Sequence, residues 1–591
     1  MEINKYLEAN LACLSRMGAP VFKWLGSVPP GAPEAVRERI FLNSVGLIDW
    51  RMDNGVGVLE QVPLRAVYGD WLPKEKPESS ATIIVGSGVG YGVNLVLGNT
   101  PNSHKLMVVE PRPEILLACL GQTDFTPFLE AGKLHFLPPD QEIIAEAVKH
   151  LDVAFIFGQI YLRPDYTLRQ LGPEYDLWSR ITREKLENFS VELATLRLKQ
   201  ETMVSNELKN YSRAMLDGSL KPLHGMGEGA TAVILGAGPS LEEHAKDLIA
   251  NRREAIVCSA LQTLPALERL GLKPDFCLAI DFRHSMENAM RGLSDVNFAK
   301  DIPLIYSTKM QPGVLDLYPG PTIPLWTMGG LATFVMRDAE LVLDAGGNVG
   351  VTLARFLTWA GVRRFLLAGQ DFAWKGEFSH AKGHHAAHGA YRFDPAKDVT
   401  LSNLYGEQIY SHMGFIAAKR DLEADIKTCP DAAYYNIYGG GAVIEGAENL
   451  AIAAVLERGL LIGGASARGR FLDALERARG PRMRPVYQAR GNSWASSMRN
   501  VQKKLEKFFK KPERYQAEIR ATLAQVQFFL KQDPLYLPYL YNEIMDLTGM
   551  VQTRIKFGSK DMVEFRQLVR RINGKIKEMD TCLCAPAQAA A

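Results

Sequence analysis

The stretch Ile234-Leu235-Gly236-Ala237-Gly238-Pro239-Ser240-Leu241-Glu242-Glu243-His244, ILGAGPSLEEH, closes an apolar run and opens a helical pattern. Its start resembles a dinucleotide fingerprint, the strand–turn–helix element of a parallel α/β sheet. Leu241 stands where the third glycine belongs, and Pro239 removes a backbone donor, so the turn has fewer N–H groups for a diphosphate. Ser240 and Glu243 have capping-box spacing, which predicts a helix from Leu241 with carboxylates in its first turn. Those carboxylates disfavour a polyphosphate. The next strand, AIVCSA, ends in Cys258 and Ser259 where a ribose-binding acid would stand. What fits is a nucleotide with one phosphate, held by Gly236, Gly238, Pro239 and Ser240.

Around this turn the apolar runs TAVILG, AIVCSA, DFCLAID, PLIYST and RFLLAGQDF alternate with helical text from 231 to about 372. An earlier series, ATIIVG, KLMVVEP, KLHFLP and VAFIFG, has the same rhythm. The fold class read from this is α/β: two doubly wound Rossmann-like parallel-sheet domains followed by a C-terminal α-helical domain. Boundaries fall at 1–174, a helical linker at 175–222, a central domain at 223–470 and a helical domain at 471–591. In an open sheet, ligands bind at the carboxyl ends of the strands. Those ends carry Ser259, Asp281 with Arg283 and His284, Ser307 to Lys309, and Gln370 with Asp371. Gly346, Gly347 and Asn348 precede another apolar helix, whose first N–H groups suit an anion or form a plain turn.

The first series has its own glycine loop, Gly86 to Gly92, and a strand ending in Glu110. It resembles the cofactor loop of S-adenosylmethionine methyltransferases, yet such loops also persist as plain strand-to-helix turns, and no further methyltransferase motif accompanies it.

Composition narrows the class. A chain of 591 residues with 47% hydrophobic and 23% charged residues has ample apolar surface for several cores, which excludes disorder. A net charge of +2 does not mark the whole chain as a nucleic-acid or membrane-surface binder. Seven scattered cysteines without zinc spacing fit a reduced, cytoplasmic setting, and no signal peptide or membrane span is expected. The C-terminal text from 491 holds seventeen Lys/Arg against ten Asp/Glu, a solvated helical face or a docking site for an acidic partner.

Histidines cluster at His380, His384, His385 and His388. A histidine base suits neutral pH. The i, i+4 spacing also invites a metal-site reading, while Gly383, Gly389 and the polar text favour a loop over a helix.

ILGAGPSLEEH, KPDFCLAIDF, LDAGGNVGVTLARFLTWAG, FLLAGQDFAW and NIYGGGAVIEG, in this order, resemble the motility accessory factor (Maf) family of flagellin glycosyltransferases, with a central domain of the MAF_flag10 type. The resemblance implies transfer of a nonulosonic, sialic-acid-like sugar from a CMP-activated donor to Ser/Thr hydroxyls of flagellin in the cytoplasm. It implies no required cofactor, no metal, and no nucleic-acid or membrane partner. Gly238-Pro239-Ser240-Leu241 and Gly369-Gln370-Asp371-Phe372 are also similar to sialyltransferase motifs, with Ala237 in place of an asparagine. Trp374, Lys375 and Ser379 stand where those enzymes use tyrosines. The site implied is catalytic Asp371, His380, His384 and His385, with the donor held by Gly236, Gly238, Pro239, Ser240, Ser259, Asp281, Gly347, Asn348 and Gln370. Two rivals stand beside it. The central domain is similar to pterin pyrophosphokinases of the MptE type, which need ATP and magnesium, and a non-catalytic flagellin-binding factor would keep both sheets as scaffold.

Overall fold

The computed structural model describes residues 5–27, 32–60, 62–252, 254–384, 392–395, 397–462, 464–481 and 487–584. The chain divides into two compact units: Met1–Lys199 with Ser496–Gln532 and Tyr541–Ile572, and Gln200–Ala495 with Asp533–Leu540 and the residues from Asn573 on.

In the first unit β1 (Ala81–Val85), β2 (Lys105–Val109), β3 (Leu134–Leu137) and β4 (Ile160–Pro164) form a parallel sheet in the order β3-β2-β1-β4. Every residue of β1 is buried, because helices cover both faces of a parallel sheet and its strands read as unbroken apolar runs. α1 (Tyr91–Asn99) follows the first glycine loop. The expected strand VAFIFG is instead a helix, Asp152–Phe157, and the fourth strand lies just beyond it. A short apolar run carries no period that separates strand from helix. Here Gly158 closes the helix against Ser79, where a Cβ would lie 2.2 Å from the Ser79 carbonyl oxygen.

The polar text after 174 folds as one helix of 44 residues, α2 (Glu174–Asp217), and the division between the units falls within it.

The second unit contains β5 (Thr231–Leu235), α3 (Leu241–Asn251), β6 (Ile256–Ala260), β7 (Phe276–Ala279), β8 (Leu304–Ser307), β9 (Thr322–Thr327), β10 (Val342–Leu343), α4 (Val349–Trp359) and β11 (Arg364–Ala368). After these come a hairpin of β12 (Asp398–Ser402) and β13 (Gln408–His412), α5 (Met413–Thr428), β14 (Ala433–Ile437) and β15 (Glu448–Leu450). Nine of the strands make one parallel sheet, ordered β10-β9-β8-β7-β6-β5-β11-β14-β15. β9 carries Pro324, which argues against a central strand. It is accommodated because β10 pairs only with Trp326 and Thr327.

From β5 the chain winds through β6 to one side of the sheet, and β11 lies on the other side of β5. Leu235 and Ala368 are register partners, so the two strands end together at the point where the winding reverses. Sheets of this kind open their ligand crevice there. The core beneath is buried and aromatic, with Phe365 stacked on Tyr434 at 4.5 Å. Among the described residues no helix is long and apolar enough to cross a membrane.

Candidate functional site

The turn after β5 and the turn after β11 are sewn together. Gly236 N–H donates to Ala368 O at 2.7 Å, Gly238 N–H to Gly369 O at 2.8 Å, and Ser240 N–H to Asp371 Oδ2 at 2.9 Å. The glycines allow this contact: a Cβ at Gly236 would lie 2.2 Å from Gly369 O, and one at Gly238 would lie 2.3 Å from Asp371 Oδ2. The loop amides at 236, 238 and 240 are therefore occupied by the protein itself.

The capping box does not form. Helix α3 starts at Leu241 as expected, yet Ser240 is helical itself and makes no side-chain cap. Its hydroxyl instead donates to Asp371 Oδ1 at 2.5 Å. A charge-assisted bond in a buried site is stronger than a neutral cap, so the tertiary partner wins. Burial pushes the Asp371 carboxyl up, to about 6, against the pull of the Ser240 bonds. Phe372, next in the chain, holds φ at +47°, an uncommon conformation for a bulky residue. Strain of this kind collects at functional sites.

Two cavities flank the seam. The first, about 160 Å³, is bordered by Gly236 and Gly238, by Gln262 and Thr263 beyond β6, by Asn348 at the start of α4, by Gln370 and Asp371, and by Ser379, His380 and His384. Asn348 caps α4, its side chain accepting from Gly350 N–H at 2.8 Å. Gln370 fills the space over Gly350, where a Cβ would lie 2.8 Å from Gln370 Nε2.

The segment 379–384 is a bend and turn, as Gly383 at φ +92° requires, not a helix. It is pinned over the glycine turn by Ala381 N–H to Ala237 O, 2.8 Å, and Lys382 N–H to Glu242 Oε1, 2.7 Å. His380 and His384 stack in parallel with centroids 4.4 Å apart, and Ser379 Oγ lies 2.9 Å from His380 Nδ1. His385 and His388 lie outside the described residues. Among the described residues no three His, Cys, Asp or Glu side chains gather as a metal set.

The second cavity, about 610 Å³, lies along Pro239, Ser240, Glu243, Asp371, Ala373, Trp374, Lys375, Tyr405, Glu407 and Tyr438 to Gly441. Asp371 and Ala373 border both cavities.

The expected ligand residues thus separate. Gly236, Gly238, Asn348, Gln370, Asp371, His380 and His384 surround the first cavity, while Pro239 and Ser240 face the second. Ser259, Asp281 and Gly347 are not among the residues bordering either. Ser259 is fully buried at the end of β6, and Asp281 forms a bidentate pair with Arg283 at 3.0 Å. Gln262, Phe415, Tyr405 and Tyr438 border the cavities without having been singled out, since a lone glutamine or aromatic residue carries no spacing signal. Gln262 Oε1 is buried and finds no hydrogen-bond partner among the described residues.

The first unit's glycine loop is closed. Glu110 accepts from Ser87 N–H at 2.6 Å, Ser87 Oγ at 3.0 Å, Arg112 N–H at 3.0 Å and Tyr175 Oη at 2.8 Å. The acid expected at a ribose is turned onto its own loop.

A doubly wound parallel sheet with a polar crevice at its reversal point is a fold class that binds ligands there. The chain is similar over 98% of its length, and 97% of the other chain, to a solved structure of a MAf glycosyltransferase from Magnetospirillum magneticum AMB-1, with TM-score 0.69 and 16% sequence identity. The fold implied by the family resemblance is the fold found. A family model described as 6-hydroxymethylpterin diphosphokinase MptE-like matches residues 205–377. No curated protein matches.

Proposed function

We propose that the protein is a glycosyltransferase that moves a nonulosonic sugar from a CMP-linked donor to a hydroxyl of flagellin. The observation that carries the reading is the gathering of Asn348, Gln370, Ser379, His380 and His384 around one cavity at the reversal point of a fold shared with a Maf glycosyltransferase. These are neutral or cationic groups suited to one phosphate and a sugar carboxylate. The acceptor oxygen bonds to the anomeric carbon as the bond from that carbon to the phosphate oxygen breaks. CMP departs with the electron pair, steadied by the imidazoles and the start of α4, and the hydroxyl proton passes to Asp371. Raised to about 6, Asp371 has the basicity of a histidine while remaining ionised at neutral pH.

The family match over 205–377 favours a second reading, diphosphate transfer from ATP to a pterin. Against it stand the occupied amides of the glycine turn and the absence of a donor at Pro239, which leave little to cradle a polyphosphate. Asp281, a carboxylate that would hold magnesium, is paired with Arg283. Calorimetric titration with CMP and, separately, with ATP and magnesium decides between them. CMP binding alone supports the transferase, ATP binding alone supports the kinase, and binding of neither removes both.

A further inference from the structure

The second cavity is larger than the first and carries more negative charge. Its borders carry three carboxylates, Asp371, Glu243 and Glu407, against the single cation Lys375, whose Nζ lies 2.5 Å from Glu407 Oε1. The first cavity has Asp371 as its lone carboxylate beside two histidines. Three carboxylates against one cation make the second cavity the less favourable of the two for an anionic sugar nucleotide.

The floor of the second cavity is backbone. Gly439 lies against Ser240, where a Cβ would be 2.2 Å from Ser240 Cβ, and Gly441 lies against Asp371, where a Cβ would be 2.6 Å from Asp371 O. These glycines let the strip pack directly on Ser240 and Asp371, so the second cavity opens beside the seam itself. Tyr438, its Oη donating to Gly441 O at 2.8 Å and accepting from Leu404 N–H at 2.8 Å, anchors the turn of the β12–β13 hairpin over this strip. The hairpin turn presents Tyr405, 66% exposed, at the lip, with Leu404, 53% exposed, next to it in the chain. Exposed apolar side chains at a cavity mouth suit a polypeptide that enters and leaves, more than a small sugar held wholly inside.

We propose that the second cavity seats the acceptor: an extended, uncharged or cationic polypeptide segment that presents a hydroxyl toward Asp371. The inference rests on the transferase reading above. Asp371, which borders both cavities, then stands between the donor's anomeric carbon and the acceptor. The hydroxyl oxygen forms the new carbon–oxygen bond, CMP leaves with the old bonding pair, and the proton moves to the Asp371 carboxylate and on to water.

The test uses the full chain with p-benzoylphenylalanine at position 405 and a separate Tyr405→Ala variant. At 66% exposure neither change disturbs the core. The probe is unglycosylated flagellin purified from a strain lacking this protein. Expected results are a light-induced cross-link mapped to a Ser/Thr-bearing flagellin segment, and at least tenfold weaker flagellin binding by Tyr405→Ala with CMP affinity unchanged. No cross-link, or full flagellin binding by Tyr405→Ala, overturns the acceptor assignment. Failure of the wild-type protein to bind CMP removes the donor reading instead, and the cross-link still decides what occupies the second cavity.

Discussion

Ser240 donates twice to one carboxylate, its N–H to Asp371 Oδ2 at 2.9 Å and its hydroxyl to Asp371 Oδ1 at 2.5 Å, tying the start of α3 to the turn after β11. The pair lies between glycines on both sides, Gly236 and Gly238 toward the first cavity and Gly439 and Gly441 toward the second. Asp371 therefore has a structural duty beside any chemical one, and the two separate by substitution.

Asp371→Ala leaves the Ser240 N–H and hydroxyl without their acceptor inside a buried seam, a loss of about 1–3 kcal/mol. Asp371→Asn keeps one acceptor oxygen and is the milder change for stability. Both abolish flagellin modification if the carboxylate takes the proton. Thermal melts together with intact-mass analysis of flagellin check this, and modified flagellin from the Asn variant would leave the carboxylate with its structural duty alone.

The same carboxyl gives a signed pH dependence. It titrates at about 6 in the fold against 3.8 ordinarily, because burial disfavours the charge. The folded protein holds this proton more tightly than the unfolded chain. Its contribution to stability is complete below 3.8 and is lost as pH rises to about 6, roughly 3 kcal/mol in all. Asp371→Asn lacks that slope, so urea melts at pH 4 and pH 7 should favour wild type relative to the variant by about 2 kcal/mol more at the lower pH. A constant difference between the two proteins would place the Asp371 titration elsewhere.

Glycines at this site divide by what surrounds them. Gly238→Ala puts a Cβ 2.3 Å from Asp371 Oδ2, and the loop or the carboxylate must move. Gly347→Ala meets nothing within 4 Å. The first is expected to lower the melting temperature by several degrees and the second to leave it within about a degree, on the usual scale of overpacking costs.

Much of this was legible in the sequence. Strands such as TAVILG and RFLLAG are unbroken apolar runs bounded by glycine, and a parallel sheet needs that pattern. The gathering of Asn348, Gln370, His380 and His384 with the glycine turn follows from their places at strand ends and helix starts. What stayed hidden depends on partners far along the chain. The Ser240 capping box is a local rule overridden by Asp371, 131 residues away. VAFIFG lacks a period, and β9 was concealed by Pro324. Tyr405 and Tyr438 come together only because the hairpin folds back on the glycine strip.

α2 is pinned to the second unit's sheet by a buried carboxylate, Glu207, that the sequence does not announce. Glu207 accepts from Thr308 Oγ1 at 3.1 Å and Leu331 N–H at 2.7 Å, while the ammonium of Lys309, which donates to Met328 O, acts on it as a nearby charge. Burial raises the Glu207 carboxyl and lowers the Lys309 ammonium, each opposed by the other's charge. Lys309→Met removes the charge that offsets the burial of Glu207 and the bond to Met328 O, and should cost about 1–3 kcal/mol. The double variant Lys309→Met with Glu207→Gln should recover part of that loss, as a double-mutant cycle in urea measures. Simple additivity would show that the two charges act independently.

The first unit's glycine loop yields the last prediction. Glu110 is wholly buried and its carboxyl is pushed up to about 7, since four hydrogen bonds offset only part of the burial. A cofactor ribose would have to displace Ser87 and Tyr175 from it. Leu168 and Tyr175 also crowd Gly86, where a Cβ would lie 2.6 Å from Leu168 Cδ1. Titration of the full chain with S-adenosylmethionine at millimolar concentration should therefore give no saturable heat. Tyr175→Phe, which leaves Glu110 Oε1 with Arg112 N–H alone and does not open the loop, should lower stability by about 1 kcal/mol and still bind none. Saturable binding to the wild-type protein would mean that the loop opens at little cost and that Glu110 turns outward to a ligand.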